Sequence, residues 1–259
     1  MDYRLIAADM DGTFLDGQGH IPADFWEFYP RLRAAGIAFT PSSGRQLATL
    51  TEMFEPLSGE LDFIAENGAV VVAHGDIVST TPMPMDAVHS VIDAVRGTTM
   101  NVVVCHPLRA YTETPPVEEL SYYHSIEQVA DLHEVAERDE VVKLAVNCRN
   151  GATDQLAATL ADAAAGQHVV ISSARWIDVM NPAANKGTAL TELARHTGIT
   201  LDQTLAFGDY LNDYELLTAA GTSYAMANAH PALKEIADHI APPHTEGGVM
   251  QVLRELFAD

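Results

Sequence analysis

Short apolar runs alternate with amphipathic stretches along the first third of the chain. Residues 5–8 form an apolar run of strand length, and residues 23–35 carry helical spacing closed by Gly36. Pro30 inside that stretch predicts a kinked helix or one that begins later, because proline lacks the N–H that the preceding turn would bind. Residues 37–40 read as a strand, 46–54 as a helix and 63–65 as a strand; the 70–78 region, broken by Gly75-Asp76, reads as a hairpin. Strands alternating with helices predict a parallel, doubly wound sheet in an α/β protein.

The rhythm breaks at Pro82-Met83-Pro84, and a second α/β set follows. Its expected elements are helices at 87–96 and 153–164 and strands at 101–106, 141–148 and 168–172. An acidic stretch over 118–140 is expected to be a solvated helix or loop. The original alternation resumes through 188–196, 204–207, 213–220, 222–226 and 249–257. One unit inserted into another is the simplest account, with residues 1–82 and 183–259 forming the core and 83–182 the insertion.

Asp9 and Asp11 stand where the first apolar run ends, just before the turn Gly12-Thr13. Residues i and i+2 of an extended chain point to one side, so both carboxylates can face one reaction centre. In open α/β sheets ligands bind beyond the carboxyl ends of the strands. A strand ending in a solvated acidic turn would give the same residues. A second acidic cluster, Gly208-Asp209 followed by Asn212-Asp213, ends another apolar run two hundred positions later. Two strand ends bearing carboxylates are what a Mg²⁺ site assembled by a folded sheet needs, since Mg²⁺ takes one or two carboxylates and shares phosphate oxygens. Between the clusters lie candidate phosphate contacts: Ser43-Gly44-Arg45 after a strand, and Lys186 just ahead of a helical pattern. Ordinary structural roles compete with each of these. Ser43 could cap a helix, Asp209 could do the same, Lys186 could lie at the surface, and Arg45 is better read as a solvated first-turn residue.

Composition narrows the function. The 259 residues are 47% hydrophobic, ample for a packed core, and carry a net charge of −22. That field repels nucleic acid and anionic membranes, which are not expected as partners. It would also repel a phosphorylated substrate, so a phosphate-handling site needs a local cationic focus such as Mg²⁺ with Lys186. Cys105 and Cys148 are the only cysteines, both in strand-like runs, and are expected as reduced buried thiols. The eleven histidines show no metal-ligand spacing and read as scattered surface or core residues. An apolar strand already at residue 5 leaves no room for a signal peptide, and no run approaches a membrane span, so a cytoplasmic protein is expected.

Taken in order, Asp-x-Asp-Gly-Thr at 9–13, Ser-Gly-Arg at 43–45, Lys-Gly at 186–187 and Gly-Asp-x-x-Asn-Asp at 208–213 resemble the haloacid dehalogenase (HAD) superfamily, and within it the Cof-type phosphatases. Glu66-Asn67-Gly68-Ala69 and Glu246-Gly247-Gly248-Val249 are secondary echoes, and the likeness is weakest between about 83 and 180. At the second motif many relatives have Ala-Thr-Gly-Arg where this chain has Ser42-Ser43-Gly44-Arg45; a hydroxyl is kept at 43. The resemblance implies a Rossmann-like core with an α/β cap domain that sets substrate specificity. It implies a Mg²⁺-dependent phosphatase of small phosphorylated metabolites, such as sugar phosphates, working through an aspartyl-phosphate on Asp9. Asp11 would serve as acid and then base, and Mg²⁺ would be held by Asp9, the Asp11 carbonyl and Asp209. Ser43, Gly44, Lys186 and Asn212 would bind phosphate, with Asp213 behind them orienting Lys186 or a metal-bound water. A sugar phosphomutase and a non-catalytic phospho-acceptor switch are the alternatives, and a monomer or homodimer is expected. In the insertion, His106, Arg109, Tyr111, Lys143 and Asn147 are polar groups near strands, expected at ordinary surface positions.

Overall fold

A computed structural model describes residues 2–57, 59–114 and 124–257. The first segment contains β1 (Leu5–Asp9), α1 (Phe25–Ala34), β2 (Ala38–Ser42), α2 (Leu47–Met53), β3 (Phe63–Ala65), β4 (Val70–Ala73) and β5 (Asp76–Thr80). Then come α3 (Met85–Val95), β6 (Met100–Cys105), β7 (Ala110–Thr112), β8 (Ile126–Gln128), α4 (Leu132–Ala136), β9 (Lys143–Cys148), α5 (Asp154–Ala163), β10 (His168–Ser173) and β11 (Trp176–Met180). The last segment holds α6 (Lys186–Thr197), β12 (Thr204–Gly208), α7 (Tyr214–Ala219), β13 (Thr222–Met226), α8 (Pro231–Ile236), β14 (His239–Ala241) and α9 (Gly248–Leu256). These elements fall into two compact units, one of residues 1–44, 53–79 and 185–259, the other of 45–52 and 80–184.

The first unit is built on an eight-stranded sheet in the order β14-β13-β12-β1-β2-β3-β4-β5. From β14 to β3 every pairing is parallel, while β3 and β4 pair antiparallel, so the doubly wound sheet carries an antiparallel margin; the region 70–78, expected as a hairpin, supplies the two neighbouring strands β4 and β5. β1 and β12 are buried at every position, as strands covered on both faces must be. Their register sets Ala8 beside Phe207, and on the other side Asp9 beside Ser42. Three strand ends that bear candidate site residues are thus neighbours at one sheet edge. The chain leaving β1 is pinned by Phe14, which packs against Phe25 and Phe39 with ring centroids 5.0 and 4.8 Å apart. α1 begins at Phe25, later than its spacing suggested, and continues through Pro30.

The second unit holds a six-stranded sheet, β10-β11-β9-β6-β7-β8, antiparallel apart from the β7–β8 pair. Val88, Val91 and Ile92 of α3 pack with Val102 and Val104 of β6, Leu144 and Val146 of β9, and Ile177 and Val179 of β11. Strand alternation sends Lys143, Asn147 and Asp178 to the opposite face from these residues. Lys143 and Asn147 are buried there, as is His106, so three of the five polar residues expected at the surface lie inside instead. Arg109 is exposed and pairs with Glu127 across 3.8 Å, and Tyr111 is half-buried. Residues 118–123 of the acidic stretch lie outside the described residues; the remainder forms β8 and α4 with their loops. Cys105 and Cys148 are free and buried, as expected.

Candidate active site

Asp9 ends β1 as a buried carboxylate, and Lys186 opens α6 with its side chain wholly buried. Asn185 caps that helix, its side chain accepting from the Thr188 N–H, which fixes the backbone from which Lys186 projects. The Lys186 Nζ donates to Asp9 Oδ1 at 2.5 Å and to Asp213 Oδ1 at 2.6 Å. Asp213 Oδ2 in turn accepts the backbone N–H groups of Asp209, at 3.0 Å, and Tyr210, at 3.2 Å. Both oxygens of Asp213 are therefore committed to holding the lysine and the loop after β12.

Asp209 is half-buried and accepts from the Thr13 hydroxyl at 3.2 Å. Asn228 approaches from the loop after β13, donating to the Gly12 carbonyl at 2.8 Å and to Asp209 Oδ2 at 3.4 Å. Gly12 has φ +84°, and a Cβ there would stand 2.4 Å from Asp209 Oδ2. Only glycine lets this turn pass so close to the second acidic strand end. Oxygens of Asp9, Asp209 and Asp213 lie within 4.8 Å of one another, and among the described residues this is the one group of three or more such side chains able to hold a metal ion.

Asp9 and Asp213 thus share one buried ammonium, with half-buried Asp209 beside them. Burial, with the Asp213 charge beside it, pushes Asp9 up to about 8 against the pull of Lys186. Asp209 is raised to about 6 by burial and by Asp213. Burial alone would favour a neutral Lys186, but the charges of Asp213 and Asp9 win and hold it firmly protonated. The site is short of positive charge. Its free donors are hard carboxylate oxygens, a set suited to Mg²⁺ and unsuited to soft or thiolate-seeking metals.

Of the remaining expected residues, Ser43 is buried directly after β2, its backbone N–H bonded to Ile64 and its carbonyl accepting from Asn67. A Cβ at Gly44 would lie 3.0 Å from the Asn67 amide. Asn212 is exposed and donates to Asn67 Oδ1 at 3.2 Å. Asn67 sits in a left-handed turn at φ 55°, a conformation asparagine tolerates, and so stands between the second motif and the fourth. Asp11 is exposed two residues past Asp9. Arg45 is half-buried and falls in the second unit. Sequence reading missed Thr13 and Asn228 as members of the network and left Asn67 as an echo. Asn228, between two alanines after a strand, carries only the weak signal of an amide at a strand end.

Comparison with known proteins places these observations in a family. Residues 6–253 match the family described as haloacid dehalogenase-like hydrolase. The chain is 30% identical over 265 residues to 5-amino-6-(5-phospho-D-ribitylamino)uracil phosphatase YbjI of Escherichia coli K12, covering 99% of this chain and 97% of that protein. It is 27% identical over 252 residues to the HMP-PP phosphatase of the same organism, covering 92% and 89%. A crystal structure from Eubacterium rectale superposes with a TM-score of 0.87 at 29% identity, over 99% of this chain and all of the other. Among the described residues, no helix is long and apolar enough to cross a membrane.

Proposed function

Since the chain belongs to the haloacid dehalogenase-like hydrolase family, of Cof type, and is a phosphoric monoester hydrolase, we propose that it hydrolyses a small phosphorylated metabolite through an aspartyl-phosphate on Asp9, with Mg²⁺ as cofactor. The observation that carries this reading is the set of buried Asp9, Lys186 and Asp213 with half-buried Asp209 at one sheet edge. Asp9, Asp209 and the Asp11 carbonyl would hold the ion, which supplies charge neutralisation between a carboxylate and a dianionic phosphate.

The chain's own residues account for the rest. An oxygen of Asp9 attacks phosphorus as the ester bond to the leaving alkoxide breaks, and Asp11, exposed beyond the strand end, gives that alkoxide a proton. Asp11 then takes a proton from water as the water attacks the acyl phosphate, releasing orthophosphate and restoring Asp9. Lys186 balances negative charge on Asp9 and on the transferred group as a compact ammonium. Asp213 keeps it aimed. Ser43, the Gly44 amide and Asn212 bind phosphoryl oxygens, with Asn67 setting the distance between them. Such a collection suits phosphoryl transfer, which depends mainly on positioning and charge stabilisation.

The names of two relatives, a phosphoribitylaminouracil phosphatase and an HMP-PP phosphatase, favour a phosphorylated heterocycle or sugar as substrate class. The second unit would select it, in the role of a cap. The test is orthophosphate release from a panel of phosphorylated metabolites with Mg²⁺. Activity should vanish with EDTA, return with Mg²⁺, and fall more than about 10⁴-fold in Asp9→Asn, as loss of a nucleophile does. Hydrolysis that persists in EDTA or in Asp9→Asn would overturn the proposal. Transfer between two hydroxyls without phosphate release would point to a mutase instead.

A further inference from the structure

The sheet of the second unit has two unlike faces. One carries the apolar residues that pack under α3. The other carries Lys143, Asn147 and Asp178, which are nonetheless only 3%, 2% and 7% exposed. Strand register sets their arrangement. Ala145 of β9 pairs with Asp178 of β11 on one side and with Val103 of β6 on the other. Lys143 and Asn147 flank Ala145 two residues away in each direction, so they share its face and stand about 13 Å apart along the strand. A floor of small apolar side chains is thus bounded by an ammonium at one end, an amide at the other and a carboxyl at its flank. Asn147 Nδ2 has no hydrogen-bond partner among the described residues. Asn101, which pairs with it from β6, has its own amide oxygen engaged by the Thr114 hydroxyl at 2.9 Å. A buried donor without a partner destabilises the fold that carries it, and leucine would fill the same space without that penalty.

We propose that Asp178 and Asn147, with Lys143 beside them, bind the leaving group of the substrate, an organic moiety that presents an O–H or N–H donor next to an acceptor atom. The inference rests on the phosphatase reading above and names the chemistry selected there. Asp178 accepts from the donor, Asn147 Nδ2 gives its hydrogen to the acceptor, and the Ala145–Val103 floor meets the apolar face of the ligand. A few polar groups converging over an apolar surface are what orient a small molecule. Burial raises the Asp178 carboxyl, while the charge of Lys143 and a hydrogen bond from Ser172 pull it back toward the ionised form that accepts. A sugar supplies the donor and acceptor as neighbouring hydroxyls, and a substituted pyridine supplies them as a ring hydroxyl beside a carbonyl. An alkyl chain supplies neither.

The test compares kcat/KM, with Mg²⁺, for ribose 5-phosphate, pyridoxal 5′-phosphate and n-hexyl phosphate in the full-length wild type, Asn147→Leu and Asp178→Asn. The wild type should prefer the better of the first two esters to n-hexyl phosphate by about 100-fold or more, because an analogue without polar groups leaves the buried ones unpaired. That preference should shrink about 10-fold in Asn147→Leu and about 10–100-fold in Asp178→Asn, chiefly through KM, as loss of a neutral and of a charged hydrogen bond do. Asn147→Leu should melt no lower than the wild type, since it removes an unpartnered amide. Whether ribose 5-phosphate or pyridoxal 5′-phosphate is the better substrate separates a sugar from an aromatic ligand. Equal kcat/KM for all three esters in the wild type, or a preference that survives both substitutions, would overturn the proposal and leave the phosphatase reading standing. An Asn147→Leu protein that melts lower or fails to fold would mark the amide as structural and overturn it too. Release of no phosphate from any ester would defeat the phosphatase reading itself.

Discussion

Lys186 in the first unit and Arg96 in the second are each surrounded by three carboxylates, yet they are different kinds of cluster. Lys186 is wholly buried with Asp9 and Asp213, close to Asp209. Arg96 is 38% exposed and meets Asp93, Glu113 and Asp131, which are 66%, 30% and 43% exposed. Around Arg96 water screens every charge, and the pairs are worth little beyond local order. Around Lys186 there is no screening, so the excess negative charge is expressed as raised carboxyl pKa values and as a demand for a further cation. Burial, and not the count of charges, separates a reactive cluster from a surface one.

Removing the cation should expose that difference most sharply. Lys186→Met leaves Asp9 and Asp213 buried without their partner and should cost about 3–5 kcal/mol in chemical denaturation, together with the loss of phosphatase activity. Gly12→Ala comes next. It forces a Cβ against Asp209 at a positive φ and should cost about 1–3 kcal/mol and weaken Mg²⁺ activation, read as a rise in the Mg²⁺ concentration for half-maximal rate. Arg96→Gln should change stability by about 1 kcal/mol or less, with the effect shrinking in high salt.

The smallest effect is in the pH dependence of that last variant. Side-chain bonds from Arg96 hold Asp131 below the usual carboxylate range, and Glu113 is likewise lowered by Arg96 and the Leu132 N–H in spite of partial burial. Both therefore stabilise the fold above their unfolded values near pH 4, and that contribution is lost as pH falls through the lower folded values. Melting curves of wild type and Arg96→Gln should differ at neutral pH and converge below about pH 3. A gap that stays constant into acid would mean that Arg96 acts by packing.

The sheet edge was legible because its residues are written as short local patterns at strand ends. Asp9 and Asp209 each end an apolar run, Lys186 stands beside Gly187 ahead of a helical pattern, and the resemblance to a family joined them. What joins them physically was not legible. Thr13 meets Asp209, Asn67 meets Asn212, and Asn228 meets Gly12, across separations of 196, 145 and 216 residues, and no spacing rule reaches so far. The same limit hid the pairing of His89 with His133, 44 residues apart on two helices. β14 and β7 are three-residue strands, too short to show alternation, and β11 follows β10 after a two-residue turn, so only the strand at 168–172 was read and β11 was missed. Burial of Lys143 and Asn147 was missed because a polar residue on a strand normally marks a wet face, and here both lie on a dry one.

The central place of β1 in the sheet has a consequence for biosynthesis. In a growing polypeptide Asp9 precedes its partners by a long way: the strand that flanks it on one side begins at Thr204, and its ammonium partner arrives only with residue 186. Until then the nascent chain carries an acidic strand with one edge open and no counter-charge. Closing that edge links residues two hundred positions apart, a slow, non-local step that exposes unpaired backbone meanwhile. A ribosome that stalls before residue 204 should therefore release a fragment prone to aggregate, whereas one that stalls later leaves the pairing able to form.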